Sequence, residues 1–202
     1  MPNLTQSTSS ALTKLSREVT SLKKTVKRNA PEVKWSCVDL DANINDVLLF
    51  GVTESMFVAG DIDGIECRLL NWSLSLRIDT PGGITATDHV FYRVIVARSK
   101  VGGLAAGDFP TSVTACIDND DKIIYHDKVY STNAHCMNVS GPTYYGFNGI
   151  HMQKKRKYKS GLKVMRETAL DNDNSLYVFI VASNVAAGAT TGGSFTMFYN
   201  DA

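Results

Sequence analysis

From Leu70 to Ile78 every second residue is apolar: Leu70, Trp72, Leu74, Leu76 and Ile78, with Asn71, Ser73, Ser75, Arg77 and Asp79 between them. A helix would scatter these side chains around its axis, whereas a pleated strand collects them on one face. The segment is therefore predicted to be a half-buried strand, its other face turned to water or to another subunit.

The same texture runs from Val33 onward, where short runs of Val, Ile, Leu, Tyr and Phe are separated by Gly, Asp, Asn, Pro and Thr clusters. Strands are expected near 34–40, 46–53, 66–79, 89–98, 122–131, 150–159, 162–167, 175–183 and 194–200. Phe91–Ala97 and Leu176–Ala182 are almost continuously apolar, the pattern of central strands covered on both faces. Eight or nine strands without intervening helices imply a sandwich or barrel. Long connections at 99–121 and 132–149, candidate outer-surface loops, favour an all-β, eight-stranded jelly roll of two sheets. No internal repeat suggests a propeller or solenoid.

The N-terminal portion obeys a different period. Leu12, Leu15, Val19, Leu22 and Val26 recur in steps of three and four, a narrow stripe of coiled-coil type. A helix over 11–28 follows, capped by Ser10, preceded by an unfolded Ser/Thr-rich segment and stopped at Asn29-Ala30-Pro31. Alone in water so short a helix is marginal, so its seam calls for a partner. The chain thus divides into an arm, 1–31, and a β domain, 32–202.

Charge divides the same way. The overall net charge is +1, yet residues 1–30 hold Lys14, Arg17, Lys23, Lys24, Lys27 and Arg28 against Glu18 alone. Residues 153–166 hold seven cations and no acid. The rest of the chain is strongly acidic by difference. Two compact basic regions on an otherwise acidic protein prepare it for a polyanion. Within 151–160, Gln153, Lys155, Lys157 and Lys159 fall on one strand face, and Met152, Lys154, Arg156 and Tyr158 on the other. Cations on both faces fit an edge strand kept from pairing by charge. Seven in fourteen residues exceed that need, which favours contact with phosphate backbones or with an acidic neighbouring subunit; nucleic-acid binding here would be sensitive to salt and indifferent to sequence. The arm's stripe lacks the Trp or Phe of helices that lie on membranes, so no membrane partner is expected.

Catalytic patterns are missing. There is no phosphate-cradling glycine loop, nucleophile elbow or HExxH, and His89, His126, His135 and His151 lie in separate segments. His135 and Cys136 are adjacent, but neighbours on extended chain point apart, so no enzyme is expected. Cys37, Cys67, Cys116 and Cys136 have no metal-finger spacing and read as buried free thiols. No secretory signal opens the chain, so synthesis is expected inside the cell and the sequons at Asn3, Asn71 and Asn138 are read as chance. Acidic turns at Asp61 and Asp63, Asp118–Asp121 and Asp171–Asp173 read as turn formers, and none is an EF-hand loop.

Several segments resemble the coat proteins of small circular single-stranded DNA viruses, the circovirus-like group. Gly60–Ile78, with Arg68 leading into Trp72-Ser73-Leu74-Ser75-Leu76-Arg77, resembles their second core strand. Tyr92–Arg98 is similar to their hydrophobic strand ending in arginine. Ile123–Tyr130 looks like their strand and turn with an Asp-Lys or Asp-Arg step, and 153–159 and Leu176–Ala182 follow in the same order. The arm departs from that group, whose arms are dense in arginine. With its seam and the ending Tyr199-Asn200-Asp201-Ala202, it is similar to coat proteins of satellite viruses such as satellite tobacco necrosis virus.

The resemblance implies a virion protein, made in the host cytoplasm, that self-assembles as a homo-oligomer of about sixty copies into an icosahedral T=1 shell. It implies packaging of single-stranded DNA or RNA by Lys14, Arg17, Lys23, Lys24, Lys27, Arg28, Lys155, Lys157 and Lys159. Leu12, Leu15, Val19, Leu22 and Val26 would form the seam of a threefold arm bundle. It also makes Asp201 a ligand candidate for interfacial calcium, with no cofactor otherwise required. The competing reading is a trimeric jelly-roll ligand or lectin-like module with the helix as its stalk.

Overall fold

The computed structural model describes residues 4–28, 32–44, 46–62, 64, 66–79, 89–133, 149–165, 174–183 and 189–201. The side chains of 4–10, 26–28, 89, 132–133 and 201 lie outside what is described. So do the stop signal at 29–31, the loop 134–148 with His135, Cys136 and Asn138, and the acidic residues Asp63 and Asp171–Asp173. The chain divides into two compact units, Met1–Glu32 and Val33–Ala202.

The first unit is one helix, α1 (Leu4–Arg28). It begins in the Ser/Thr-rich segment expected to be unfolded. Ser and Thr cost a helix only about 0.5 kcal/mol each relative to Ala. With no Gly or Pro between Leu4 and Arg28, nothing stops propagation from the nucleated turns. Thr20 and Thr25 turn their hydroxyls back onto the carbonyls of Ser16 and Ser21.

The second unit is a two-sheet antiparallel sandwich. Its strands are β1 (Lys34–Asp39), β2 (Ala42–Ile44), β3 (Val47–Gly51), β4 (Glu66–Asp79), β5 (His89–Ser99), β6 (Lys122–Asn133), β7 (Gly149–Met165), β8 (Leu176–Ala182) and β9 (Ala189–Asp201). One sheet has the order β1-β9-β4-β7, with the short β2 also paired to β9; the other has the order β3-β8-β5-β6. Apart from β1–β2 and β5–β6, each step along the chain crosses from one sheet to the other. That winding is the jelly roll.

Between the sheets lie Trp72, Leu74, Leu76 and Ile78 of β4, Phe195, Met197 and Tyr199 of β9, Val90, Tyr92, Val94 and Val96 of β5, and Leu176, Val178 and Ile180 of β8. Alternation in β4 is interrupted where it was expected to be strict. Leu69 is buried and Leu70 only half-buried, because register slips between Leu69 and Asn71. One extra residue exchanges the faces of a strand, so Cys67 and Leu69 reach the same core as Trp72 and Leu74. Opposite that slip β7 bulges through Tyr158–Gly161, so the strands expected at 150–159 and 162–167 are one element. Gly161 sits at φ +74°, and a β-carbon there would strike the Arg68 side chain at 2.4 Å. Gly193, at φ +129°, passes within 2.2 Å of the Ser75 carbonyl when given a β-carbon, so β9 and β4 approach closely only around glycine.

A helix, α2 (Val52–Ala59), stands where the sequence had suggested the end of a strand. Val52, Thr53, Met56 and Phe57 bury one side of it, and Gly60 ends it in the left-handed conformation. The Thr53 hydroxyl accepts the Leu176 backbone N–H at 2.8 Å.

The loop 99–121, expected at the outer surface, closes a second apolar layer. Leu104 and Phe109 cover Ile95, Ala97, Tyr177, Phe179 and Val181, the outward face of β5 and β8. Phe109 stacks on Phe179 at 4.6 Å, and the Tyr177 hydroxyl accepts the Leu104 N–H at 3.1 Å. Tyr92–Ala97 and Leu176–Val181 are thereby buried on both faces. Buried Arg93 ties loop to sheet. It makes two 2.7 Å contacts to the Asp127 carboxylate and donates to the Val113 and Ala115 carbonyls at 3.4 and 2.5 Å. That carboxylate holds the guanidinium's pKa above its ordinary value, against the opposing effect of burial.

Among the cysteines described, Cys67 is buried, but Cys37 and Cys116 are exposed rather than buried as expected; none of the three forms a disulfide. Cys37 lies on the outward alternation of β1, and Cys116 in the loop.

If the loop is part of the folded core, Phe109→Ala should cost about 3–4 kcal/mol, as for other buried aromatics. Urea unfolding should show a lowered midpoint with little change in the slope.

Candidate nucleic-acid interface

Strand β7 is paired to β4 on one side, and no strand pairs with its other side among the described residues. It is an edge. Register sorts its cations. Lys155 lies opposite Ser73 and Lys157 opposite Asn71, on the face of β4 turned away from the core. Lys154 and Arg156 lie opposite Leu74 and Trp72, on the inward side but at the rim, where both stay exposed. Lys159 was expected to share a face with Lys155 and Lys157. It falls in the bulge with no β4 partner and is exposed there.

Aromatic rings settle the rim. The Arg156 guanidinium lies 4.2 Å from the centre of the Tyr125 ring and 5.7 Å from that of Tyr158. Tyr158 accepts the Trp72 indole N–H at 3.2 Å, and burial pushes its hydroxyl pKa above the ordinary tyrosine range. Trp72 stacks on Phe195 at 5.2 Å. One cation therefore closes the apolar layer by cation–π contact, while its neighbours face water. Lys154, Lys155, Lys157 and Lys159 have no ion-pair partner among the described residues. Lys163, farther along, is paired with Glu66.

A shallow groove of about 460 Å³ crosses this part of the sheet, with Asn71, Ser73, Lys155, Lys157 and Phe198 in its lining. Sequence reasoning found the two lysines. It missed Asn71, Ser73 and Phe198, since only strand order brings β9 and β4 beside β7. It also missed Arg156 as a capping rather than a binding cation.

On α1, Lys14, Arg17, Lys23 and Lys24 are exposed, and Lys27 and Arg28 fall in the last turn with side chains outside those described. Of the seam, Leu12, Leu15, Val19 and Leu22 are exposed, and the Val26 side chain is outside those described. Asp201 ends β9, its side chain likewise outside. Among the described residues no three His, Cys, Asp or Glu side chains gather as metal ligands would. No described helix is long and apolar enough to cross a membrane.

No family model matches the chain, and no curated protein matches it. Among solved structures it is similar to a chain of the Desmodium yellow mottle tymovirus, with 8% identity, 84% of this chain and 89% of that chain covered, and a TM-score of 0.41.

His126 of β6 lies beside the same rim, its Nε2 3.0 Å from the Tyr130 hydroxyl. Burial first, then Lys154 and Lys128, push its pKa below the ordinary histidine value, against the pull of Asp127. The unfolded chain takes up this proton near pH 6.5 and the folded one resists it, so its contribution is complete above that value. Stability should fall as pH drops below about 6.5. His126→Gln should flatten that limb of the urea-midpoint profile between about pH 5 and 7.5.

Proposed function

We propose that this chain is the coat subunit of a small closed shell and that it packages single-stranded nucleic acid through its two basic regions. The observation that carries the reading is the set of unpaired lysines on the open edge of a jelly-roll sheet. That sheet contains β1, the strand into which the basic arm leads in sequence. Edge lysines by themselves only prevent strand pairing. Here they adjoin a groove shared with Asn71, Ser73 and Phe198 instead of ending in isolation, and six further cations precede β1. The circovirus-like and satellite-virus resemblance of the sequence points the same way.

In this reading the polyanion and the shell assemble together. Phosphates release counterions from Lys and Arg, removing repulsion between arms, while loops and sheet edges meet neighbouring subunits. The exposed leucine and valine seam of α1 pairs with the same seam of other copies. About sixty subunits in icosahedral symmetry close the smallest such shell.

Light scattering after gel filtration, with the ratio of ultraviolet absorbances, tests the assembly. The expected species is of megadalton scale and carries nucleic-acid absorbance; a clean trimer free of nucleic acid would instead make the helix the stalk of a ligand-binding module. Replacing Lys23, Lys24, Lys27 and Arg28 by glutamine should lower the nucleic acid recovered per particle and leave the β domain folded. Unchanged nucleic-acid content would remove the arm from packaging.

A further inference from the structure

The outward face of the β1-β9-β4-β7 sheet presents more than charge. Register aligns Trp35 of β1 with Phe198 of β9, Phe198 with Asn71 of β4, and Asn71 with Lys157 of β7. The next row holds Cys37, Thr196, Ser73 and Lys155. Directly opposed residues share a face, so one sheet surface runs from two aromatic rings through small polar side chains to two unpaired cations. Strands lie about 4.8 Å apart, which places Trp35 and Lys157 about 14 Å from each other across the face. Trp35 is 67% exposed, although tryptophan is among the most buried of side chains on average.

We infer that this face is a single-strand binding platform, in which Trp35 and Phe198 stack on unpaired bases while Lys155 and Lys157 hold the adjoining phosphates. The inference rests on the packaging reading above and adds the chemistry of recognition. Aromatic platforms beside a cationic track suit single strands because every base has a stackable face, whereas a duplex keeps its bases stacked on one another. Charge chooses the occupant. Lysine is depleted at the core of protein–protein contacts, and this face ends on lysines that have no ion-pair partner among the described residues. Asn71, Ser73 and Thr196 between the two ends offer hydrogen bonds to sugar or base edges without selecting a sequence.

The test uses the full chain under conditions that keep it unassembled, titrated separately with a single-stranded oligothymidine, a duplex of the same length and inorganic polyphosphate. The other tryptophan, Trp72, is buried, so quenching on the single strand should come from Trp35 and vanish in Trp35→Phe. Trp35→Ala should weaken oligothymidine binding roughly tenfold and leave polyphosphate binding unchanged, while Trp35→Phe restores most of the affinity. Lys155→Gln with Lys157→Gln should weaken both polyanions and flatten the salt slope for the single strand by about 1.4. Loss of affinity only in the lysine variant would overturn the platform and leave charge-based packaging intact. A Trp35→Ala chain with unchanged affinity but altered assembly size would overturn it in favour of a contact with a second copy. Failure of the unmodified chain to bind any of the polyanions would sink the packaging reading with it.

Discussion

The slip of register at Leu70 is the constraint from which the rest of the β domain follows. Cys67 and Leu69 are odd-numbered, whereas Trp72, Leu74, Leu76 and Ile78 are even-numbered, yet all six face one core. A regular fourteen-residue strand would turn one of those sets into water. Burying a large apolar side chain stabilises by about 1.5–3 kcal/mol, so losing either set would consume much of the roughly 5–15 kcal/mol margin of an ordinary domain. The extra residue corrects the phase, and β7 answers with its own bulge at Tyr158–Gly161. Tyr158 is thereby brought to the Trp72 indole and Lys159 is left outside the ladder. The phase correction of β4 and the exposure of Lys159 have one origin.

An edge strand must be kept from recruiting another chain's strand, and charge is a common way to do it. In β7 the cations divide between two tasks. Arg156 spreads its guanidinium over Tyr125 and closes the gap between sheets, at a site where lysine's compact, strongly hydrated charge would be a poorer fit. Lys155 and Lys157 stay in water on the outward face. Around Arg93 the logic reverses. That guanidinium is buried, so it needs both oxygens of Asp127 and two loop carbonyls to offset its desolvation. The loop 99–121 is consequently bound to the sheet by apolar contact and by a satisfied charge, although the sequence suggested an outer-surface loop.

Much of the architecture was legible because period and composition carry it. The continuous apolar runs of β5 and β8 announced burial on both faces, though the material covering the second face, Leu104 and Phe109, came from a loop with no periodicity to read. The bulge was illegible because Leu69 and Leu70 are equally apolar and either could continue the alternation. Helix α2 did leave a signal in the spacing of Val52, Met56 and Phe57 before Gly60, but it is two turns long and adjoins a strand-like run. The basic strand was legible as an edge. Its neighbours Asn71, Ser73 and Phe198 were not, since pairing β7 with β4 and β4 with β9 joins residues far apart in the chain.

A net charge of +1 says little about a molecule whose charges are this segregated. Screening at physiological ionic strength acts over about 8 Å, so an anion meeting Lys155 would respond first to the charges of that edge. In the proposed shell, separation of sign would also let the acidic remainder meet basic surfaces of other copies without competing for the same residues. Electrostatic contacts of both kinds weaken with salt, whereas aromatic stacking and the leucine–valine seam do not. In the proposed shell, charge would hold a polymer of arbitrary sequence while the apolar seam kept its specificity for copies of the same chain.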